Sequence, residues 1–100
     1  MPSTWKAPAD QFDYALDFTP VLVAGEAITT IVSISSAQQP GGTDSTAEII
    51  GPTPPAIDGA AVVFWLQGGN LGEQHQISVI ITTDQNREYT GIVNLDIQEF

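Results

Sequence analysis

The chain has 100 residues, no cysteine, and twelve acidic side chains against two basic ones, for a net charge of -10. That length supports one hydrophobic core, and an apolar content of 42% places the chain among folded globular domains and not among disordered ones. The charge excludes nucleic-acid binding through phosphates, which needs a basic surface; the missing cysteine excludes disulfides and thiolate chemistry; and no apolar run approaches the roughly 20 residues of a membrane-spanning helix.

The first residues, Met1-Pro2-Ser3-Thr4-Trp5-Lys6, have no apolar h-region, so no secretory signal is expected. Pro2, Pro8 and Pro20 forbid a continuous helix there. Trp5, Phe12, Tyr14 and Phe18 are nevertheless bulky apolar groups that need cover. The expectation is an extended arm over residues 1–12 and then a first strand, in which Tyr14, Leu16 and Phe18 alternate with Asp13, Ala15 and Asp17. Val21 to Gly25 turns the chain.

From Glu26 onward the pattern is of consecutive strands. Strict alternation puts Ile28, Thr30, Val32 and Ile34 on one face of the second strand and Thr29, Ile31, Ser33 and Ser35 on the other. Gln38 to Asp44 has loop composition. A short strand is expected over Ser45 to Ile50, closed by Gly51-Pro52-Thr53-Pro54-Pro55, whose prolines cannot donate to a ladder. The strand Ala60 to Leu66 leads into the loop Gly68-Gly69-Asn70-Leu71-Gly72, and the strand Glu73 to Thr83 follows. After the polar turn Asp84 to Arg87, a last strand runs to about Gln98 with Tyr89, Gly91, Val93, Leu95 and Ile97 facing inward.

Strands separated by turns every 8 to 15 residues or so indicate an all-β chain, an immunoglobulin-like antiparallel β-sandwich over residues 13–100 with an extended N-terminal arm. Its core is expected to include Ile28, Val32, Ile34, Val62, Phe64, Leu66, Ile77, Val79, Ile81, Val93, Leu95 and Ile97.

Little in the chain suggests catalysis. His75 is the one histidine, and Ser78, three residues along the same strand, points to the opposite face. A packing or edge-strand role follows for His75, and no catalytic residue is expected. Asp10, Asp13, Asp17 and Glu26 are close in sequence, but their spacing is not that of an EF-hand loop, and calcium takes about six to eight oxygens. They are expected on a solvated face or capping turns, with Lys6 or Arg87 pairing Asp13 or Asp17, and no metal or cofactor is expected. Gly68, Gly69 and Gly72 resemble a phosphate cradle only superficially, because a strand follows them and no lysine accompanies them. They are expected to form a structural turn, with positive φ at Gly68 or Gly69. Trp5, Phe64 and Trp65 have the chemistry to stack on sugars, although a strand tryptophan is more often core.

Taken in order, Lys6/Pro8, Asp13-Tyr14-Ala15-Leu16-Asp17-Phe18, Leu22-Val23-Ala24-Gly25-Glu26-Ala27-Ile28, Phe64-Trp65-Leu66-Gln67-Gly68-Gly69-Asn70-Leu71-Gly72, Ile81-Thr82-Thr83 and Arg87 resemble the pattern of small tailed-phage fibre–tail adaptor proteins. His75 stands where that pattern has an aromatic, and the stretch from Ser36 to Pro55 is longer than in the pattern. The resemblance implies a non-enzymatic virion structural protein, assembled in the bacterial host cytoplasm, that joins tail to tail fibres. Its partners would be other virion proteins (a tail tube or adaptor ring, a fibre, or the major capsid protein) in a homo-oligomeric arrangement, with neither nucleic acid nor membrane. Trp5, Lys6, Phe12 and Tyr14 are the expected partner-binding residues. A capsid decoration protein bridging major capsid subunits, or a carbohydrate-binding adhesive module, fits the same small acidic sandwich.

Overall fold

The computed structural model describes residues 3–99. It contains eight strands, β1 (Ser3–Lys6), β2 (Phe12–Asp17), β3 (Ile28–Gln39), β4 (Thr43–Asp44), β5 (Ala56–Asp58), β6 (Ala61–Leu66), β7 (Gln74–Thr83) and β8 (Glu88–Ile97), with one helical turn, α1 (Thr46–Ile49). A five-stranded sheet runs β1-β8-β7-β3-β4 and a three-stranded sheet runs β2-β6-β5. The all-β sandwich expected from the strand pattern is thus the observed architecture. Every pairing is antiparallel except β1 with β8, which is parallel, so the larger sheet is mixed.

Period-two alternation builds the core. In β7, His75, Ile77, Val79, Ile81 and Thr83 are buried while the residues between them are half-buried on the outer face. Val93, Leu95 and Ile97 of β8 and Val62, Phe64 and Leu66 of β6 close on them, together with Leu16 and Phe18 of the β2 segment. Tyr14 packs its ring against Phe64 with centroids 5.8 Å apart. Gly91 is small for a reason: a Cβ there would meet Leu16 and Phe18 side-chain atoms at 2.7 and 2.9 Å.

The structure corrects the strict alternation assumed for β3. Its register against β7 shifts between Ile28 and Thr30 and again between Ile31 and Ser33. Each bulge adds one residue to β3 without a partner, so the inward positions become Ile28, Ile31, Ile34 and Ser36. Val32, assigned to the core by alternation, is 50% exposed, and Ile34 is partly buried. Bulges leave no mark in hydropathy, which is why β-branched residues on both faces of this strand read as regular.

Two further differences have local causes. Ser45 to Ile50 is a helical turn and not a strand, because the Asp44 carboxylate accepts from the Thr46 backbone N–H (3.0 Å) and hydroxyl (2.7 Å) and starts the turn. The Gln38–Asp44 loop is shorter than its composition suggests: β3 continues to Gln39, a cis Gln39–Pro40 bond reverses the chain, and β4 pairs back onto Ala37 and Gln38. In β6 the expected face is observed, with Phe64 in the core and Trp65 on the outer face, 38% exposed.

Truncating Ile81→Ala, fully buried at the sheet interface, is expected to cost about 2–5 kcal/mol. Val32→Ala is expected to cost less than about 0.5 kcal/mol. Chemical denaturation of both variants tests the bulged register, since regular alternation would make the two costs comparable.

Candidate functional site

Both cations are used inside the chain. Lys6 ends β1 with no exposed surface. Its ammonium donates to the carbonyls of Ala7 (2.7 Å), Pro8 (3.3 Å) and Gly68 (2.5 Å), which uses all three of its donors. Burial pushes the Lys6 pKa down, and the nearby Asp10 carboxylate opposes that shift. The Gly68 contact ties β1 to the loop between β6 and β7.

That loop is a structural turn, as its glycines suggest. Gly68, Gly69 and Gly72 all have positive φ, at 61°, 87° and 89°. Space is as restrictive as conformation at the first two. A Cβ on Gly68 would collide with the Glu48 carbonyl oxygen, and one on Gly69 would meet Ile97 Cδ1 at 2.8 Å. Gln67 N–H donates to the Ile49 carbonyl at 2.8 Å, and Gly72 N–H to the Ile97 carbonyl at 2.9 Å. The loop is thereby clasped between α1, β8 and Lys6.

Arg87 sits at the other end of the sandwich, with its guanidinium 3.6 Å from Glu26 Oε1. Glu26 is nearly buried and accepts from the Thr83 hydroxyl (2.6 Å), the Val23 N–H (3.0 Å) and the Tyr89 hydroxyl (3.4 Å). The Thr83 bond is the main cause holding this carboxyl below its ordinary range; burial opposes it, and Arg87 contributes less. The expected pairing of Lys6 or Arg87 with Asp13 or Asp17 is not observed. Asp10 and Asp17 instead cap turns, Asp10 accepting from Ala7 N–H at 3.1 Å and Asp17 from Thr19 N–H at 2.9 Å. Among the described residues, no group of three or more acidic or histidine side chains is placed to hold a metal ion.

His75 belongs to a hydrogen-bonded chain that sequence reasoning missed. Its Nδ1 lies 2.8 Å from Ser45 Oγ, which lies 2.8 Å from Ser36 Oγ, while Nε2 lies 3.1 Å from Glu73 Oε1. Glu73 also accepts from Asn70 N–H at 2.8 Å, the main cause of its lowered pKa. A carboxylate only accepts, so Nε2 carries the proton. In the neutral ring Nδ1 then accepts from Ser45, whose oxygen takes the Ser36 hydroxyl proton. Serine, histidine and glutamate in series have the composition of a nucleophile–base–acid set. Here Ser36, Ser45 and His75 are all buried, and the chain joins β3, the start of α1, β7 and the glycine loop. That is the packing role expected of His75, although in a central strand and not at an edge. Ser78 faces the opposite side, as alternation requires. No local spacing signals this set, because Ser45 is 30 residues from His75 in sequence.

Of the four expected partner-binding residues, only Trp5 presents a large surface, at 42%. Phe12 and Tyr14 are half-buried and pack against the core. The Lys6 ammonium is engaged by three carbonyls and its side chain is inaccessible within the chain. Residues 3–6 are extended, as expected, but they pair with β8 in the register Ser3↔Asn94 to Lys6↔Ile97.

The family model of the podophage GP4 fiber-tail adaptor protein gp77 matches residues 6–96. No curated protein matches the chain.

Removing the Lys6 ammonium (Lys6→Met) leaves carbonyls without a donor and is expected to destabilise by about 1–3 kcal/mol. Gly68→Ala is expected to lower the melting temperature more than Gly25→Ala, since Gly25 also has positive φ (82°) but nothing near its Cβ position. Equal effects would reduce the Gly68 requirement to backbone strain alone. For the carboxylates, the folded-state values of Glu26 and Glu73 lie below the ordinary 4.5. The stability they contribute is therefore fully present above pH 4.5 and is lost as pH falls through the lowered values. Thr83→Val is expected to flatten that acid limb in pH-dependent denaturation, because it removes the main cause of the Glu26 shift.

Proposed function

The chain belongs to the podophage GP4 fiber-tail adaptor family, and on that premise we propose that it is a non-enzymatic structural protein of the virion that joins the tail to its fibres through protein–protein contacts. The single observation that carries this reading is the family match, which extends from Lys6 at the end of β1 to Asp96 near the end of β8 and so covers both sheets. The geometry supports it. The polar groups that resemble catalytic or ligand-binding sets, namely the His75 relay and the glycine loop, are spent on internal bonds. What remains outside is an acidic surface with isolated apolar groups, suited to contact with other virion proteins.

Trp5 is the part of the N-terminal segment that makes this contact. Its neighbour Lys6 anchors β1 to the glycine loop and presents Trp5 at the sheet edge, while Phe12 and Tyr14 pack against the core. Because β1 is paired with β8 and Lys6 is buried, deleting the segment removes part of the sheet; a point substitution is the cleaner probe.

Trp5→Ala is expected to leave the thermal unfolding of the isolated protein within a few degrees of the parent and to reduce its incorporation into virions. Electron microscopy of virions carrying a labelled copy is expected to place the label at the tail where fibres attach. Label distributed over the shell would identify a capsid decoration protein instead, and unchanged incorporation of Trp5→Ala would remove Trp5 from the contact.

A further inference from the structure

The edge that β3 gives the five-stranded sheet is open from Ile28 to Ser35; at Ser36 the carbonyl accepts from Ser45 N–H (2.8 Å) and the N–H donates to the Thr46 hydroxyl (3.0 Å). β4 pairs only with Ala37 and Gln38, and among the described residues no strand covers the rest of that side. Across from it runs β5, the edge of the other sheet. Between the two lies a groove of about 600 Å³, lined by Ile31, Val32, Ile34, Ile50, Pro55 and Ile57 with threonines and serines of β3.

Exposed sheet edges are ordinarily guarded by charges, by proline or by being very short. β3 has twelve residues, ITTIVSISSAQQ, and none is charged. Its second bulge turns Val32 outward, which leaves an aliphatic group at the open edge. Acids stand around the groove. Asp84 accepts from Ala27 N–H at 3.1 Å, just before the strand begins; Asp44 pairs opposite Ala37 where the open stretch ends; Asp58 follows Ile57 on β5. All three are exposed. Lys6 does not offset them, since it is buried on β1 at the far edge of the same sheet; Arg87, half-exposed and 3.6 Å from Glu26, shares only the turn that carries Asp84.

A free ladder, an apolar floor and an acidic rim specify a ligand by complementarity. We propose that the β3 edge takes up an extended segment of another virion protein, in which aliphatic residues alternate with small polar ones and Lys or Arg stands at both ends. Backbone bonds along β3 supply the pairing, alternate side chains enter the groove between β3 and β5, and the basic ends meet Asp44, Asp58 and Asp84. A second copy of this chain fits poorly, because each copy carries a net charge of -10 and its Lys6 is buried, which leaves no pair of exposed side-chain cations to meet acids at both ends. The proposal rests on the adaptor reading for the source of the segment.

The chain has no cysteine, so Val32→Cys places a single benzophenone-maleimide label on the edge. Ala15→Cys, exposed on the outer face of β2, places the control. After irradiation of virions carrying each variant, mass spectrometry identifies the cross-linked peptide. The expected result is a cross-link from position 32 to a different virion protein, in a segment with alternating aliphatic residues and basic ends, and none to that segment from position 15. Val32→Lys is expected to reduce incorporation by about tenfold with an unchanged melting temperature. A cross-link from position 32 to a second copy of this chain overturns the proposal, as does normal incorporation of Val32→Lys without any cross-link. Absence of the unsubstituted chain from tails overturns the adaptor reading and the proposal with it; presence in tails with position 32 unlinked overturns the edge alone.

Discussion

Burying a lysine ammonium under backbone carbonyls is the constraint on which the rest of this structure depends. The chain is strongly acidic and has two cations, and a lysine is seldom buried without a charged partner. Lys6 is buried against three carbonyl dipoles instead. The arrangement works because Gly68, in a left-handed conformation, turns its carbonyl toward Lys6. The same turn fits between the Glu48 carbonyl and the Ile97 side chain only because Gly68 and Gly69 lack a Cβ. One contact thus couples the first strand, the last strand, the helical turn and the loop between β6 and β7.

The opposite end of the sandwich repeats the principle with the sign reversed. Glu26 is a nearly buried anion satisfied by neutral donors from Thr83, Val23 and Tyr89, with Arg87 farther off at 3.6 Å. Between the two ends, the Ser36–Ser45–His75–Glu73 chain gives polar groups inside an apolar core their partners, as burial requires. The titratable groups of the interior are thus bonded within the chain, and the recognition surfaces proposed above are edges and exposed apolar groups. That division suits an adaptor, whose work is to hold two other components in a defined relation.

Much of the fold was legible in the residues. Alternation identified β2, β6, β7 and β8 with their inward faces, because those strands are regular and half-buried. It failed in β3, where two bulges shift the inward positions. It failed again at Thr46–Ile49, where a single helical turn is too short to show a hydrophobic period and the Asp44 carboxylate, accepting from the Thr46 N–H and hydroxyl, sets the turn that leads into it. In β6 alternation held: Phe64 takes the core position and Trp65 the outer face.

By itself the sequence determined the class of the protein: one cysteine-free, acidic, all-β domain with glycine turns and the ordered motifs of a fibre–tail adaptor. The fold class follows from composition, period-two hydropathy and residues that permit positive φ, all of which act locally along the chain, whereas the family is carried by the resemblance of the ordered motifs and by the family match. The tertiary structure alone decided where the two cations go, that the N-terminal segment joins the sheet beside β8, that serines from β3 and the start of α1 meet His75, and that the β3 edge stays open across from β5. Each of those depends on groups far apart in sequence being brought within hydrogen-bond or van der Waals range, and the packing of the two sheets does that.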